Sequence, residues 1–135
     1  MNSVALYPEL ENFFINRLRT IPCSENTKSY IIGILVKYRS SHLDLSKNSI
    51  TIEYALAKSN SDFLRFQTLA DWLFFSKSIY PESLKNASED YYNSIAQISY
   101  YSCFRLINKK WSLYEEISDQ FPILTTTVNQ AIRHT

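Results

Sequence analysis

The chain of 135 residues contains one glycine, Gly33. Ordinary usage near 7% would supply about nine. Glycine takes positive φ freely and lets a ligand approach the backbone closely. Phosphate-cradling loops, dinucleotide fingerprints and type I′ hairpins all draw on it. A chain with only Gly33 therefore excludes Walker-type and Rossmann-type nucleotide binding, and it argues against a sheet-rich fold with many tight turns. Hydrophobic residues nevertheless make up 45% of the chain and charged residues 20%, enough for a packed core.

Apolar spacings of three and four dominate, and they predict helices. The first runs from Pro8, a good first-turn residue, to Arg19, with Leu10, Phe13 or Phe14, and Leu18 inward. Ser24 or Asn26 caps a second helix through Arg39, with Ile31, Ile34, Leu35 and Tyr38 on its apolar stripe. Ser40 to Asn48 reads as a connection. Ile50 to Lys58 reads as a helix, although Ile50-Thr51-Ile52 alternates as a short strand would. Asn60 or Ser61 caps the next helix, through Lys77, and its apolar residues from Phe63 to Phe75 cover nearly the whole circumference. Such a helix is either central and buried or meets a partner on its second face. Pro81 to Leu84 reads as one helical turn, and Ser88 caps a long helix from Glu89 to Asn108. Tyr92, Ile95, Ala96, Ser99, Cys103 and Leu106 form its inward face, and its small residues admit a close neighbour. Helices from Trp111 to Asp119 and from Pro122 to Arg133 follow, the last weakened by β-branched Thr125, Thr126 and Thr127. The expectation is an all-α fold, a single compact bundle of six to eight helices in one domain over residues 1–135.

The segment from Leu69 to Tyr100 carries Leu69-Ala70-Asp71, Tyr80-Pro81-Glu82, Tyr91-Tyr92 and Ser99-Tyr100 in order. It resembles a loosely defined family of small all-helical bacterial proteins with a Leu-Gly-Asp, Phe-Pro-Glu, Tyr-Tyr and Ala-Tyr pattern. The likeness covers about a quarter of the chain, with an echo at Tyr30 to Val36, and departs from the family at Ala70, Ser78 and Ala96, where glycine is expected. The resemblance implies a helical fold of bacterial origin and brings no catalytic residue with it.

Asp71 is the buried polar candidate, because it lies mid-helix among apolar neighbours. A carboxylate there needs a partner, a proton or the surface. The readings are a structural carboxylate held by a helix start, a tyrosine hydroxyl or an arginine such as Arg105, a catalytic or ligand-binding group, or an exposed side chain. Ten tyrosines and two tryptophans suit an interaction surface. The partner-binding candidates are Trp72, Phe75, Tyr80, Tyr91 and Tyr101. The adjacent pairs Tyr91-Tyr92 and Tyr100-Tyr101 cannot both face one core, because neighbouring helical residues point about 100° apart. At least one of each pair lies at a rim, as a wet boundary tyrosine or as part of a docking surface.

Arg105, Lys109, Lys110 and Trp111 are the nucleic-acid candidates, combining phosphate contact with stacking; two lysines at a helix end also simply complement its dipole. Fourteen basic against thirteen acidic residues leave a formal charge of +1, so no strong field steers the chain toward a charged partner. His42 and His134 are the only histidines, and no ligand set with zinc spacing accompanies them; neither a metal nor a cofactor is expected. Neither Cys23 nor Cys103 has a histidine nearby in sequence, and both read as reduced thiols of a cytoplasmic protein. The start, Met1-Asn2-Ser3-Val4, shows no signal-peptide pattern, and the apolar run from Tyr30 to Val36 falls well short of the roughly 20 residues that cross a bilayer. The expected function is a non-enzymatic protein-interaction module: an adaptor, an accessory subunit or a homodimer. The alternatives are a nucleic-acid-associated accessory protein, and a ligand-binding or enzymatic domain with a pocket around Asp71 and Tyr92.

Overall fold

A computed structural model describes residues 8–39, 47–85 and 87–133. Among them there are seven α-helices and no strand. In chain order they are α1 (Pro8–Arg17), α2 (Glu25–Arg39), α3 (Lys47–Asn60), α4 (Phe63–Ile79), α5 (Glu89–Leu106), α6 (Ser112–Asp119) and α7 (Phe121–Arg133), with a 3₁₀ turn at Pro81–Ser83 after α4. The all-α bundle read from the periodicity is the fold observed.

The organising element is α4. Helices α2, α3, α5 and α7 all pack against it. Every residue from Leu69 to Ile79 is buried, including Asp71, Ser76, Lys77 and Ser78. The apolar circumference is therefore consumed by neighbours in the same chain. This corrects the expectation for Trp72 and Phe75. They are 9% and 8% exposed and belong to the core, not to a partner surface. Around α4 the core gathers Phe14 and Leu18, then Ile31 and Leu35 of α2, Tyr100 of α5, and Phe121, Leu124 and Val128 of α7.

Local chemistry sets the boundaries. Ser24 caps α2, accepting from the Thr27 amide at 3.2 Å, while Asn26 lies inside the helix. Helix α3 begins at Lys47, one turn before the expected Ile50. Ile50 is 1% exposed, and seating it in a hydrogen-bonded helix needs a preceding turn to supply the unpaired first N–H groups. The α4 cap is Asp62, not Asn60 or Ser61. Asn60 closes α3 by donating Nδ2 to the Leu56 carbonyl at 2.9 Å, and Ser61 turns the chain with φ +48°, away from the extended geometry of a cap. Asp62 has that geometry, and its Oδ1 accepts from the Arg65 amide at 3.3 Å. Ser88 caps α5 as expected, accepting from the Tyr91 amide at 3.1 Å. That helix stops at Leu106, short of Asn108, because Asn108 and Lys109 adopt φ of +58° and +60° and the Lys109 amide bonds back to the Phe104 carbonyl at 2.8 Å.

The inward face of α5 holds Tyr92, Ala96, Ser99 and Cys103, joined by Tyr100. Leu106, expected inward, is 39% exposed, because the helix ends beside it and the chain turns away. Close approach on the small residues lets Gln97 and Ser118 bond reciprocally between α5 and α6, at 2.9 and 2.7 Å. In α7, Thr125 and Thr127 return their hydroxyls to the Phe121 and Ile123 carbonyls. Residues 40–46, most of the expected connection, lie outside the described residues.

Candidate functional site

Two places combine polar chemistry with definite geometry. The first is Asp71, near the middle of α4. The Tyr30 hydroxyl of α2 donates to both carboxyl oxygens, at 2.8 and 3.0 Å, and the Tyr100 hydroxyl of α5 donates to Oδ1 at 2.9 Å. One carboxyl thereby ties three helices together. Of the expected partners it is the tyrosine hydroxyls that hold it; Arg105 is exposed and lies elsewhere. Burial pushes the Asp71 pKa up to about 7, against the pull of the two tyrosine bonds and the Lys37 charge. Burial and the Asp71 charge in turn push the Tyr100 hydroxyl and the Cys103 thiol upward.

An aromatic cluster closes over this group. The Tyr114 ring meets Tyr30 edge-on at 5.5 Å and Phe63 at 5.7 Å, and it stacks with Trp111 at 6.4 Å. Its hydroxyl accepts from Gln67 Nε2 at 2.7 Å. Asp71 lines none of the clefts of about 450, 680, 210 and 420 Å³ that described residues form. Tyr92 borders one of about 210 Å³, beside Lys77 and Glu89. Those two side chains are ion-paired at 2.7 Å, which holds the Glu89 carboxyl below its usual range.

The second place is a cleft of about 450 Å³ between α3 and α5, over the start of α4. Tyr54 and Phe66 supply apolar surface, Ile98 and Leu106 form the α5 wall, and Lys58 and Arg105 bring cations from opposite sides. Ile98 is 47% exposed. The nearby carboxylates are engaged elsewhere: Glu53 and Asp62 both pair with Arg65, at 2.9 and 3.4 Å. Lys58 and Arg105 make no ion pair among the described residues. The sequence reading singled out Arg105 but missed Lys58, Tyr54 and Ile98. The four-residue spacings Tyr54–Lys58 and Ile98–Ser102 put each pair on one helix face, but only the packing of α3 and α5 on α4 sets those faces opposite each other.

The remaining candidates are scattered. Tyr80 is exposed, and its hydroxyl accepts from Arg39 at 3.1 Å. Tyr91 is half-buried and shares a 2.7 Å hydrogen bond with Thr51, while Tyr92 is buried. Tyr101 is exposed and leans on Phe104, while Tyr100 is buried. Each adjacent pair thus splits between core and rim. Tyr91 and Tyr101 stand about 15 Å apart along α5, so these tyrosines do not form one patch. Lys109, Lys110 and Trp111 are exposed together in the α5–α6 connection, Trp111 at 59%. His42 and His134 lie outside the described residues, among which no group of His, Cys, Asp and Glu could hold a metal. Cys23 is a half-buried free thiol and Cys103 a buried one. No helix among the described residues is long and apolar enough to cross a membrane.

A second polar junction, between α2 and α6, escaped the sequence reading. The Glu116 carboxylate accepts from the Ser24 amide at 3.1 Å, the Ser24 hydroxyl at 2.8 Å and the Thr27 hydroxyl. Burial opposes its ionisation, but these hydrogen bonds outweigh it and hold its pKa below the usual carboxylate range. Only the cap residues Ser24 and Thr27 hint at it in the sequence. The chain matches no protein-family model, no curated protein and no solved structure.

Proposed function

We propose that this chain is a non-enzymatic protein-interaction module of a bacterial cytoplasm, serving as an adaptor, an accessory subunit or a homodimer. The observation that carries the reading is the open cleft between α3 and α5, where Ile98 and Leu106 stay exposed beside half-buried Tyr54. Aliphatic side chains left open in a concave site with a few polar groups around them suit a docking face. Two features of the buried polar centre support the non-enzymatic part of the reading. Asp71 is spent on two tyrosines, and the Cys103 thiol beside it is pushed toward the protonated form, the reverse of nucleophile activation. The free thiols of Cys23 and Cys103 suit a reducing compartment. Light scattering of the purified protein, with co-purification on the tagged native chain, tests the reading. A partner or a dimer is expected; a strict monomer that recovers nothing refutes it.

One observation favours a second reading, a nucleic-acid-associated accessory protein. Trp111 projects at 59% exposure beside Lys109 and Lys110, a stacking surface next to cations. Oligonucleotide binding that weakens steeply with added salt is then expected. Undetectable binding at low salt removes this reading.

A further inference from the structure

We infer that the cleft between α3 and α5 receives an acidic amphipathic helix from a partner protein; this rests on the interaction reading above. The cleft is an open trough, and its α5 wall runs from Ile98 to Arg105, about two helical turns or 10 Å. That length and the volume of about 450 Å³ suit the side chains from one face of a short helix rather than a folded surface. Helix-in-groove docking uses apolar anchors at spacings of three, four and seven, and Ile98 and Leu106 on one side with Tyr54 on the other offer complementary apolar contacts.

Charge selects among apolar occupants. Lys58 projects from the last turn of α3 and Arg105 from the last turn of α5. No carboxylate lines the cleft, and the neighbouring Glu53 and Asp62 are held by Arg65. Among the described residues neither cation has an ion-pair partner, and both border the same cleft as Ile98 and Leu106. A helix with carboxylates flanking its apolar stripe satisfies both at once, whereas a basic helix brings like charges together. A nucleic acid would also answer the cations, but its bases would find a stacking ring only in Tyr54, since Phe66 is buried, and would leave aliphatic Ile98 and Leu106 unmatched.

Selection of a displayed random-peptide library against the native protein tests the assignment, with single-stranded oligothymidylate as a parallel probe. The enriched peptides are expected to carry Asp or Glu beside apolar residues at helical spacing. Lys58→Glu and Arg105→Glu, both exposed substitutions checked by far-UV circular dichroism, should weaken those peptides by about tenfold or more, and the double variant should prefer the Lys-substituted peptides. Enrichment without acidic residues, no enrichment, binding indifferent to both reversals, or oligothymidylate binding in place of peptide would each overturn it. If a partner recovered with the native chain is still held by the double variant, the cleft assignment falls and the interaction module stands. If neither partner nor peptide is found, both fall.

Discussion

The buried carboxyl of Asp71 makes folding depend on pH in a direction opposite to most acidic groups. An unfolded aspartate titrates near pH 3.9, and in the fold the Asp71 carboxyl is raised to about 7. Between those values the native state holds a proton that the unfolded chain has released. Stability from Asp71 is therefore fully present below about pH 4 and is lost progressively as pH rises to about 7. The separation corresponds to about 4 kcal/mol, a large share of the 5–15 kcal/mol typical of a whole domain. Urea unfolding followed by far-UV circular dichroism, at intervals from pH 4 to 8, measures it. Asp71→Asn supplies the reference: its amide oxygen can accept from Tyr30 and Tyr100, and it cannot ionise. The difference between wild type and variant cancels the other titrations, including those of Glu89 and Glu116. Their lowered pKa values add stability above the unfolded carboxylate range and lose it in acid, a separate window. A wild-type advantage over Asp71→Asn that shrinks steadily between pH 4 and 7 is expected. A difference independent of pH would refute the buried, tyrosine-held carboxyl.

Three further outcomes can be measured. Gly33→Ala should raise stability by about 0.5–1 kcal/mol in the same urea titration, because Gly33 is an exposed helical residue where a methyl group would meet no atom within 4 Å; a loss would show that the glycine serves a contact. Ser24→Ala should cost about 1–2 kcal/mol, since the hydroxyl both caps α2 and donates to Glu116, and an unchanged denaturation midpoint would dismiss that junction. With a thiol-reactive chromophore, half-buried Cys23 should label in the native state and buried Cys103 only as fast as the chain unfolds; equal rates would place Cys103 at the surface.

The helices were legible because their burial is periodic. Ile31, Ile34, Leu35 and Tyr38 form the stripe that α2 buries, and Ser24 and Ser88 announce their helices through cap chemistry. What misled was the way helices end in a chain with one glycine. Ser61, Asn108 and Lys109 take left-handed φ without the residue that normally signals it, so the α4 cap and the α5 terminus were both displaced. Trp72 and Phe75 misled for a different reason. An all-round apolar helix states that every face is covered, but not by whom, and here α2, α3, α5 and α7 supply the cover. The need of Asp71 for a partner was readable from its neighbours. The identity of that partner was not, since Tyr30 lies 41 residues away in sequence and only packing brings it near.

Apolar composition alone therefore gives no ground for a sticky surface, because α4 absorbs much of it. Some of the exposed apolar residues stand alone, and others border a concavity. Ile52, Leu64 and Ile123 are each more than half exposed and line none of those clefts. Single exposed residues of that sort are normal on any protein and require no partner. Ile98 and Leu106 border one concavity with Tyr54, as Phe13 borders another beside Arg39, and theirs is flanked by Lys58 and Arg105, which make no ion pair among the described residues. The helix that carries them also turns Tyr100 inward onto Asp71, so its rotation about its own axis is fixed from the core side. A wall anchored in this way is pre-set before any partner arrives, which lowers the ordering cost of binding. Loosening the Asp71–Tyr100 hold should therefore weaken an occupant of the cleft without touching any residue that lines it.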